Sequence, residues 1–473
     1  MNLTVRQIAE AAKGRLVYEG AEEPSFWDRQ VDSVVLDSRQ VTAGGVFVAT
    51  AGERVDGHSF VSSVFEKGAV LAIVQRVPEE TERWPAYLLV EDTLQALKDI
   101  AECYRKSLQI PIIGITGSVG KTSTKEFIAG VLSEKYKVLK TQGNYNNEIG
   151  VPLTLLRIRS EHETAVVEMG ISDFGEMHRL SKMARPDIAV ITNIGQCHLE
   201  NLKDRDGVLK AKTEIFDFMS KNGKICLNGN DDKLRTVSVA GGRELRFFGL
   251  ECKEETAVCA TDVISKGLWG SQAVLHNEAG ESYEVEVPLP GVHMVLNAAA
   301  AACVAELLGL TPVEIQAGLK KVAAVGGRNN LIRTDKFTLI DDCYNANPVS
   351  MKAGIDLLCM ADTATAAILG DMFELGENSN AMHAEVGAYA AEKGVNHIIC
   401  VGANSRHMCE AALQQGTGSK VTYFSSREEL LAALRAGTER LLPEGSTILI
   451  KASHGMRFSE VVSFFCMEEE ANA

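Results

Sequence analysis

The sequence predicts an α/β protein of three domains: a small mixed α/β N-terminal domain, a central P-loop parallel-sheet domain of the ATPase kind, and a C-terminal Rossmann-like α/β domain. A glycine-rich loop at Gly117-Ser118-Val119-Gly120-Lys121-Thr122 lies between a short apolar run and a helical stretch. Further apolar runs alternate with helical patterns, which implies βαβ units with ligands at the strand carboxyl ends. With 473 residues the chain exceeds a single core, and ordinary domain sizes then favour several. The expected divisions are 1–84, 85–324 and 325–473.

In the first domain a short helix accompanies strand-like pieces at Val31–Leu36 and Gly45–Ala49. A helical stretch at Thr93–Ser107 leads into a predicted strand, Pro111–Thr116, and a helix, Ser123–Glu134. Strands are expected at Thr164–Glu168, Ile188–Ile194 and Lys224–Leu227, and the alanine-rich run Asn297–Leu310 after Gly291 closes the central domain. After Gly326-Gly327 come strands at Phe337–Asp341, Ala366–Leu369, Asn396–Val401 and Thr447–Ile450, with helices at Ala381–Lys393 and Arg427–Leu442. This last domain has no phosphate loop. No tandem repeat is evident, and Met467–Ala473 reads as a frayed tail.

Composition excludes several function classes. Hydrophobic residues at 45% and charged residues at 23% describe an ordinary globular protein. A net charge of −15 argues against general binding to nucleic acid or anionic membranes, so a phosphate-bearing ligand must be held by local cations. The eleven cysteines show no CxxC pair or metal-finger spacing, and they read as small buried residues in a reducing compartment without a disulfide framework. No uninterrupted apolar run suits a signal peptide or a membrane span, so the expected location is cytoplasmic.

The loop carries the clearest chemistry. Backbone N–H groups of a glycine turn and of a helix start form a concave anion site, which Lys121 neutralises and Thr122 extends to Mg²⁺. Nucleoside triphosphate binding follows, and a ligand-free glycine turn is the alternative. The strict loop pattern is broken, because Gly114 lies one residue early and Ile115 takes the first glycine's place. Glu168 ends a buried strand, where a nucleotide-binding sheet often holds a metal ligand; a solvent-facing carboxylate is the alternative. His198 follows the next strand and is expected beside the loop. Asn144, Asn146 and Asn147 crowd a glycine-bounded turn, as substrate contacts or only as turn formers. Asp341 to Pro348 forms a second polar loop after a strand.

Together these residues resemble the Mur ligases, ATP-dependent enzymes that extend the peptide of the cell-wall precursor, and the resemblance covers essentially the whole chain. It rests on Thr116 to Thr122, Glu168, His198, Gly291-Val292-His293 with Asn297, Gly327-Arg328 and Lys451-Ala452-Ser453. Within the family, Gly143 to Gly150, Tyr344-Asn345-Ala346-Asn347-Pro348 and Gly370 to Gly376 with His383 are similar to the member that adds D-alanyl-D-alanine (D-Ala-D-Ala) to the UDP-N-acetylmuramoyl tripeptide.

The resemblance implies residue roles. Thr116, Gly117, Ser118, Val119, Gly120, Lys121, Thr122 and Ser123 would cradle ATP, with Lys121 on the β- and γ-phosphates. Thr122, Glu168, His198 and Lys212 would surround Mg²⁺, and the catalytic set would be Lys121, Glu168, His198 and Lys212. Lys212 matches a lysine often carried as a carbamate; without the family it reads as an exposed helical lysine. His293 and Asn297 would lie near the adenine, Arg328 near the phosphates, and Asp342, Tyr344 and Asn347 on the nucleotide side of the third domain. Asp37-Ser38-Arg39 and Asp56-Gly57-His58 resemble the UDP-sugar cradle, so Ser38 and Arg39 join the three asparagines as substrate contacts. The chain departs from the family at Met294, where asparagine is common, and at His454, where a basic residue usually follows Lys-x-Ser. The implied partners are the UDP-N-acetylmuramoyl tripeptide and D-Ala-D-Ala, with no nucleic acid, no membrane insertion and a monomeric chain. Rival readings are a sister ligase adding a single amino acid and a P-loop regulator without ligation activity.

Overall fold

The computed structural model describes residues 1, 3–17, 24–52, 55–77, 86–195, 197–238, 242–253, 255–323, 330–373 and 375–470. By packing, the chain divides into two compact units. One comprises Met1–Asp262, Ala273–Val285 and Val295–Lys321; the other comprises Val263–Gln272, Glu286–Met294 and Val322–Ala473.

The first unit opens with a mixed five-stranded sheet in the order Arg15–Val17, Tyr87–Leu89, Leu71–Val74, Val46–Val48 and Val34–Val35. The expected strand Val31–Leu36 is split. Gln30–Val31 pairs with Leu3–Thr4, whereas Val34–Val35 pairs with Val46–Val48, because Asp32 turns its N–H to the Gly44 carbonyl at 3.0 Å. The helix Thr93–Ser107 forms as expected, capped by Asp92, whose carboxylate accepts from Leu94 N and Gln95 N.

A nine-stranded sheet follows. From edge to edge it runs Ser282–Val287, Ser271–Asn277, Thr256–Ser265, Glu244–Gly249, Lys224–Asn228, Ile188–Ile191, Ile112–Thr116, Thr164–Glu168 and Val138–Lys140. From Thr256–Ser265 onward all neighbours are parallel. Ile112–Thr116, Thr164–Glu168 and Ile188–Ile191 are buried throughout, as strands covered on both faces must be. The chain leaves Ile112–Thr116 to one side and later returns to its other side, which puts a topological switch point, and its crevice, at that strand's carboxyl end. The strands between Glu244 and Val287 were not foreseen, although Ser282–Val287 alternates in the expected strand period.

The second unit holds a six-stranded sheet in the order Asn330–Arg333, Thr338–Asp341, Thr447–Lys451, Thr365–Gly370, His397–Val401 and Lys420–Phe424. Only its first pair is antiparallel. Separate apolar clusters around Met351 and Leu369 and around Phe458 and Ile450 form its core. The helix expected at Arg427–Leu442 stops at Arg435, since Gly437 takes φ 148° and turns the chain into a short 3-10 segment. The helix Ser459–Glu470 reaches into the expected tail; residues 471–473 lie outside the described residues.

The cysteine expectation needs correction. Cys252, in the connection that follows Glu244–Gly249, is joined to Cys259 within the strand Thr256–Ser265, with Cα atoms 5.1 Å apart. Their spacing gave no signal, because it matches neither a CxxC pair nor a metal-finger pattern. Of the free thiols, Cys226, Cys303, Cys343, Cys400 and Cys409 are buried, but Cys359 is exposed. Among the described residues no helix is long and apolar enough to cross a membrane.

Candidate active site

The phosphate loop leaves the fully buried strand Ile112–Thr116 and enters the helix Lys121–Leu132, which starts two residues earlier than predicted. Two glycines make this turn. Gly120 caps the helix at φ 80°, with nothing near the position of a Cβ. Gly117 has φ 153°, and a Cβ there would lie 1.9 Å from Thr192 Oγ1. The loop is fastened to the segment after Ile188–Ile191. Ser118 N donates to Asn193 O at 3.1 Å, Val119 N donates to Asn193 Oδ1 at 3.0 Å, and Val119 O accepts from Thr192 Oγ1 at 2.6 Å. Ser118 Oγ accepts from Gly195 N at 2.8 Å and lies 3.2 Å from Cys197 Sγ. Lys121 Nζ donates to Gly117 O at 2.9 Å, and Ser123 is half-buried. Thr116 Oγ1 is buried and makes no hydrogen bond among the described residues.

Glu168 is no solvent-facing carboxylate: it is 2% exposed. Thr122 Oγ1 donates to its two oxygens at 3.0 and 3.2 Å, and Asn146 Nδ2 donates to Oε1 at 2.8 Å. Asn147 Oδ1 instead accepts from Ile149 N and Gly150 N and builds the turn. Asn144 is exposed, with its carbonyl on Asn146 N. A cleft of about 550 Å³ is lined by Lys121, Asn146, Asn147, His198, Lys98 and Glu148, among others.

His198 lines this cleft with φ 50°. Its ring reaches solvent, yet partial desolvation, followed by the charges of Lys212 and Lys121, holds its pKa below the usual imidazole value. Lys212, on the helix Arg205–Thr213, is 1% exposed rather than solvated. Burial first and the Lys121 charge second lower its pKa to about 8. Asn297 reaches the phosphate-loop helix, where its Oδ1 accepts from Thr124 Oγ1 at 2.9 Å. The P-loop residues, Glu168, Asn146, His198 and Lys212 are therefore gathered at one sheet end, with Asn297 attached through Thr124.

Other expected residues lie elsewhere. Arg39 is exposed beside Asp37, whose carboxyl its guanidinium holds at about 2; Lys67 Nζ donates to Ser38 O at 2.8 Å. Asp56 pairs with Arg76 and His58, and Gln75 N donates to His58 Nε2 at 3.0 Å, so the His58 proton sits on Nδ1. In the second unit Asp342 Oδ2 accepts from the buried Lys451 Nζ at 2.5 Å, Tyr344 tilts against His454, and Asn347 caps the helix Pro348–Leu358. His293 is exposed in the first turn of Val292–Leu307. Arg328 lies outside the described residues. Sequence reasoning missed Thr141, Thr192 and Asn193; the latter two were placed inside the expected strand Ile188–Ile194, which ends instead at Ile191 and leaves them free to fasten the loop.

The donor set fits Mg²⁺. One buried carboxylate beside a threonine hydroxyl, at a helix N-terminus shaped for phosphate, suits an ion that keeps waters and takes phosphate oxygens. Among the described residues no cluster of three or more His, Cys, Asp or Glu offers the all-protein cage of a zinc or calcium site.

Comparison with known proteins matches the Mur ligase family, catalytic domain over 30–105, the Mur ligase middle domain over 115–305, and the Mur ligase, glutamate ligase domain over 327–454. The chain belongs to the Mur ligase family. It is 35% identical over 470 residues to the UDP-N-acetylmuramoyl-tripeptide--D-alanyl-D-alanine ligase of Bacillus subtilis, covering 97% of each chain. A crystal structure of MurF from Acinetobacter baumannii superposes with a TM-score of 0.87 at 33% identity, covering 97% of this chain and 98% of that one. MurF ligase from Thermotoga maritima, solved in complex with ADP, gives a TM-score of 0.77 at 30% identity, covering 94% and 99%.

Proposed function

We infer that the protein is an ATP-dependent carboxylate–amine ligase that joins D-Ala-D-Ala to the UDP-N-acetylmuramoyl tripeptide in peptidoglycan precursor synthesis. The likeness to the Bacillus subtilis ligase carries this reading, because it spans 97% of both chains and so includes all three substrate-handling parts. A P-loop regulator would need only the middle one. A sister ligase would share the fold but not the D-Ala-D-Ala-type motifs around Asn146 and Tyr344.

Forming an amide from a carboxylate in water is uphill. The γ-phosphoryl group of ATP passes to the tripeptide's terminal carboxylate, giving ADP and an acyl phosphate. The dipeptide amine then attacks the acyl carbon and releases phosphate and a proton. Lys121 and the loop N–H groups stabilise charge on the transferring phosphoryl group. Thr122 and Glu168, with His198 and a carbamylated Lys212, are the residues that would hold Mg²⁺, which when bound neutralises phosphate charge. Asn146, already fixed on Glu168, presents its remaining amide valences to the tripeptide, and Asn144 and Asn147 border the same cleft. Residues 1–84, with Ser38 and Arg39, hold the UDP-sugar; residues 85–324 hold the triphosphate, with His293 and Asn297 toward the adenine. Residues 325–473, with Arg328, Asp342, Tyr344 and Asn347, bring the amine and exclude water from the acyl phosphate. The enzyme works as a cytoplasmic monomer without nucleic acid or membrane.

The test is ADP release with ATP, Mg²⁺ and the UDP-N-acetylmuramoyl tripeptide, comparing D-Ala-D-Ala with single amino acids and using Lys121→Ala as the blank. Turnover that requires the dipeptide supports the assignment. Turnover with a single amino acid, or ATP loss independent of any amine, overturns it.

A further inference from the structure

Lys125 lies one helical turn beyond Lys121 on the phosphate-loop helix, yet it points inward and is 2% exposed. A buried ammonium needs partners to offset its lost hydration. Its Nζ donates to Thr141 O at 2.8 Å, lies 3.2 Å from Glu126 Oε1, and lies 3.8 Å from Glu168 Oε2. Thr141 is shared by both sides of this contact, because its Oγ1 accepts from Glu168 N at 2.9 Å. Lys125 thus grips the Glu168 carboxylate by charge and the residue beside its backbone by hydrogen bond.

The geometry has a direction. Thr122 and Asn146 approach Glu168 from the loop and the asparagine turn, and Lys125 approaches from the interior. Glu126 also pairs with the half-exposed Lys140, so alternating charges run from the surface to the strand end. We propose that Lys125 is a positioning residue that fixes the orientation of the Glu168 carboxylate toward Thr122, so that the carboxylate is aligned before the metal–nucleotide arrives. A carboxylate with only neutral donors could rotate about its last torsion, whereas the ammonium behind Oε2 restrains it.

This inference rests on the reading that Glu168 serves a metal-bound triphosphate, and the experiment separates the two. Full-length Lys125→Gln keeps a donor for Thr141 O but removes the charge; Lys125→Arg keeps the charge; Glu168→Gln removes the metal donor. Mn²⁺ binding to each enzyme–ADP complex is followed by electron paramagnetic resonance, alongside ADP affinity without metal, Mg²⁺ dependence of turnover, and thermal unfolding. Loss of a partner that orients a metal ligand typically weakens metal binding by about 10- to 100-fold, and that loss is expected for Lys125→Gln with metal-free ADP affinity unchanged. Lys125→Arg is expected to restore most of it. Unchanged or tighter Mn²⁺ binding in Lys125→Gln, or an equal loss in Lys125→Arg, overturns the inference while leaving Glu168 as a ligand. Unchanged binding in Glu168→Gln overturns both. If Lys125→Gln does not fold, Lys125→Arg decides alone: retained Mn²⁺ affinity supports the inference, and loss overturns it.

Discussion

Lys212 offers the sharpest test of the site, because its burial makes opposite demands on stability and on chemistry. An amine must be neutral to add CO₂, and the product is a carbamate plus a proton. With its pKa lowered from 10.5 to about 8, about one Lys212 amine in ten is neutral at pH 7, against roughly one in three thousand for an unshifted lysine. The fold therefore raises the reactive form by about 300-fold. The same shift costs stability. A lysine whose folded pKa is depressed binds fewer protons folded than unfolded between about 8 and 10.5, so the penalty is complete below about 8 and disappears as pH rises through 10.5. Its size is about 3 kcal/mol.

In CO₂-free buffer at pH 7, Lys212→Met should therefore unfold a few degrees above the parent, and the gap should narrow toward pH 10. The same variant should lose ADP release, and the parent should lose rate in CO₂-free buffer and regain it with bicarbonate. ¹³CO₂ should give a carbamate resonance in the parent and none in the variant. A parent rate indifferent to CO₂, together with a variant no more stable at pH 7, would sink this account of Lys212.

Gly117→Ala places a Cβ 1.9 Å from Thr192 Oγ1 at a backbone angle that disfavours side chains. Strain of about 1–3 kcal/mol should weaken ATP binding roughly 5- to 150-fold by calorimetry, and unchanged affinity would show that the loop relaxes freely. Glu306 is half-buried near Tyr283 and Arg246, and burial pushes its carboxyl up to about 7. Because the protonated form is favoured in the fold, stability falls as pH rises from the unfolded value of 4.5 through 7; Glu306→Gln should raise the unfolding temperature at pH 8 and not at pH 4. Equal melting at pH 8 would count against that burial.

What could be read from the chain alone follows from how local each cause is. The phosphate loop was legible because its turn needs glycines at fixed places and its lysine follows at once, so strand, loop and helix are specified within twenty or so residues. Glu168 was legible as the last residue of an apolar run, but its 2% exposure was not, since that depends on Thr122 and Asn146 arriving from separate segments. Lys125 was missed for the same reason, and Lys212 was singled out only through the family resemblance, since its residues alone read as an exposed helical lysine. A lysine in a polar helix reads as solvated, and only the packed neighbours show that these two are buried. Thr192 and Asn193 illustrate a boundary failure: they were read as part of the strand Ile188–Ile194, and only its actual end at Ile191 shows them as the polar pair that fastens the phosphate loop. In the second unit, Asp342 was found by the same strand-end rule, whereas its 2.5 Å contact with Lys451, more than a hundred residues later, follows only from the parallel pairing of Thr338–Asp341 with Thr447–Lys451. Strand-end chemistry is thus written locally and completed by topology. The residues that orient ligands, rather than touch them, are where sequence reading loses most.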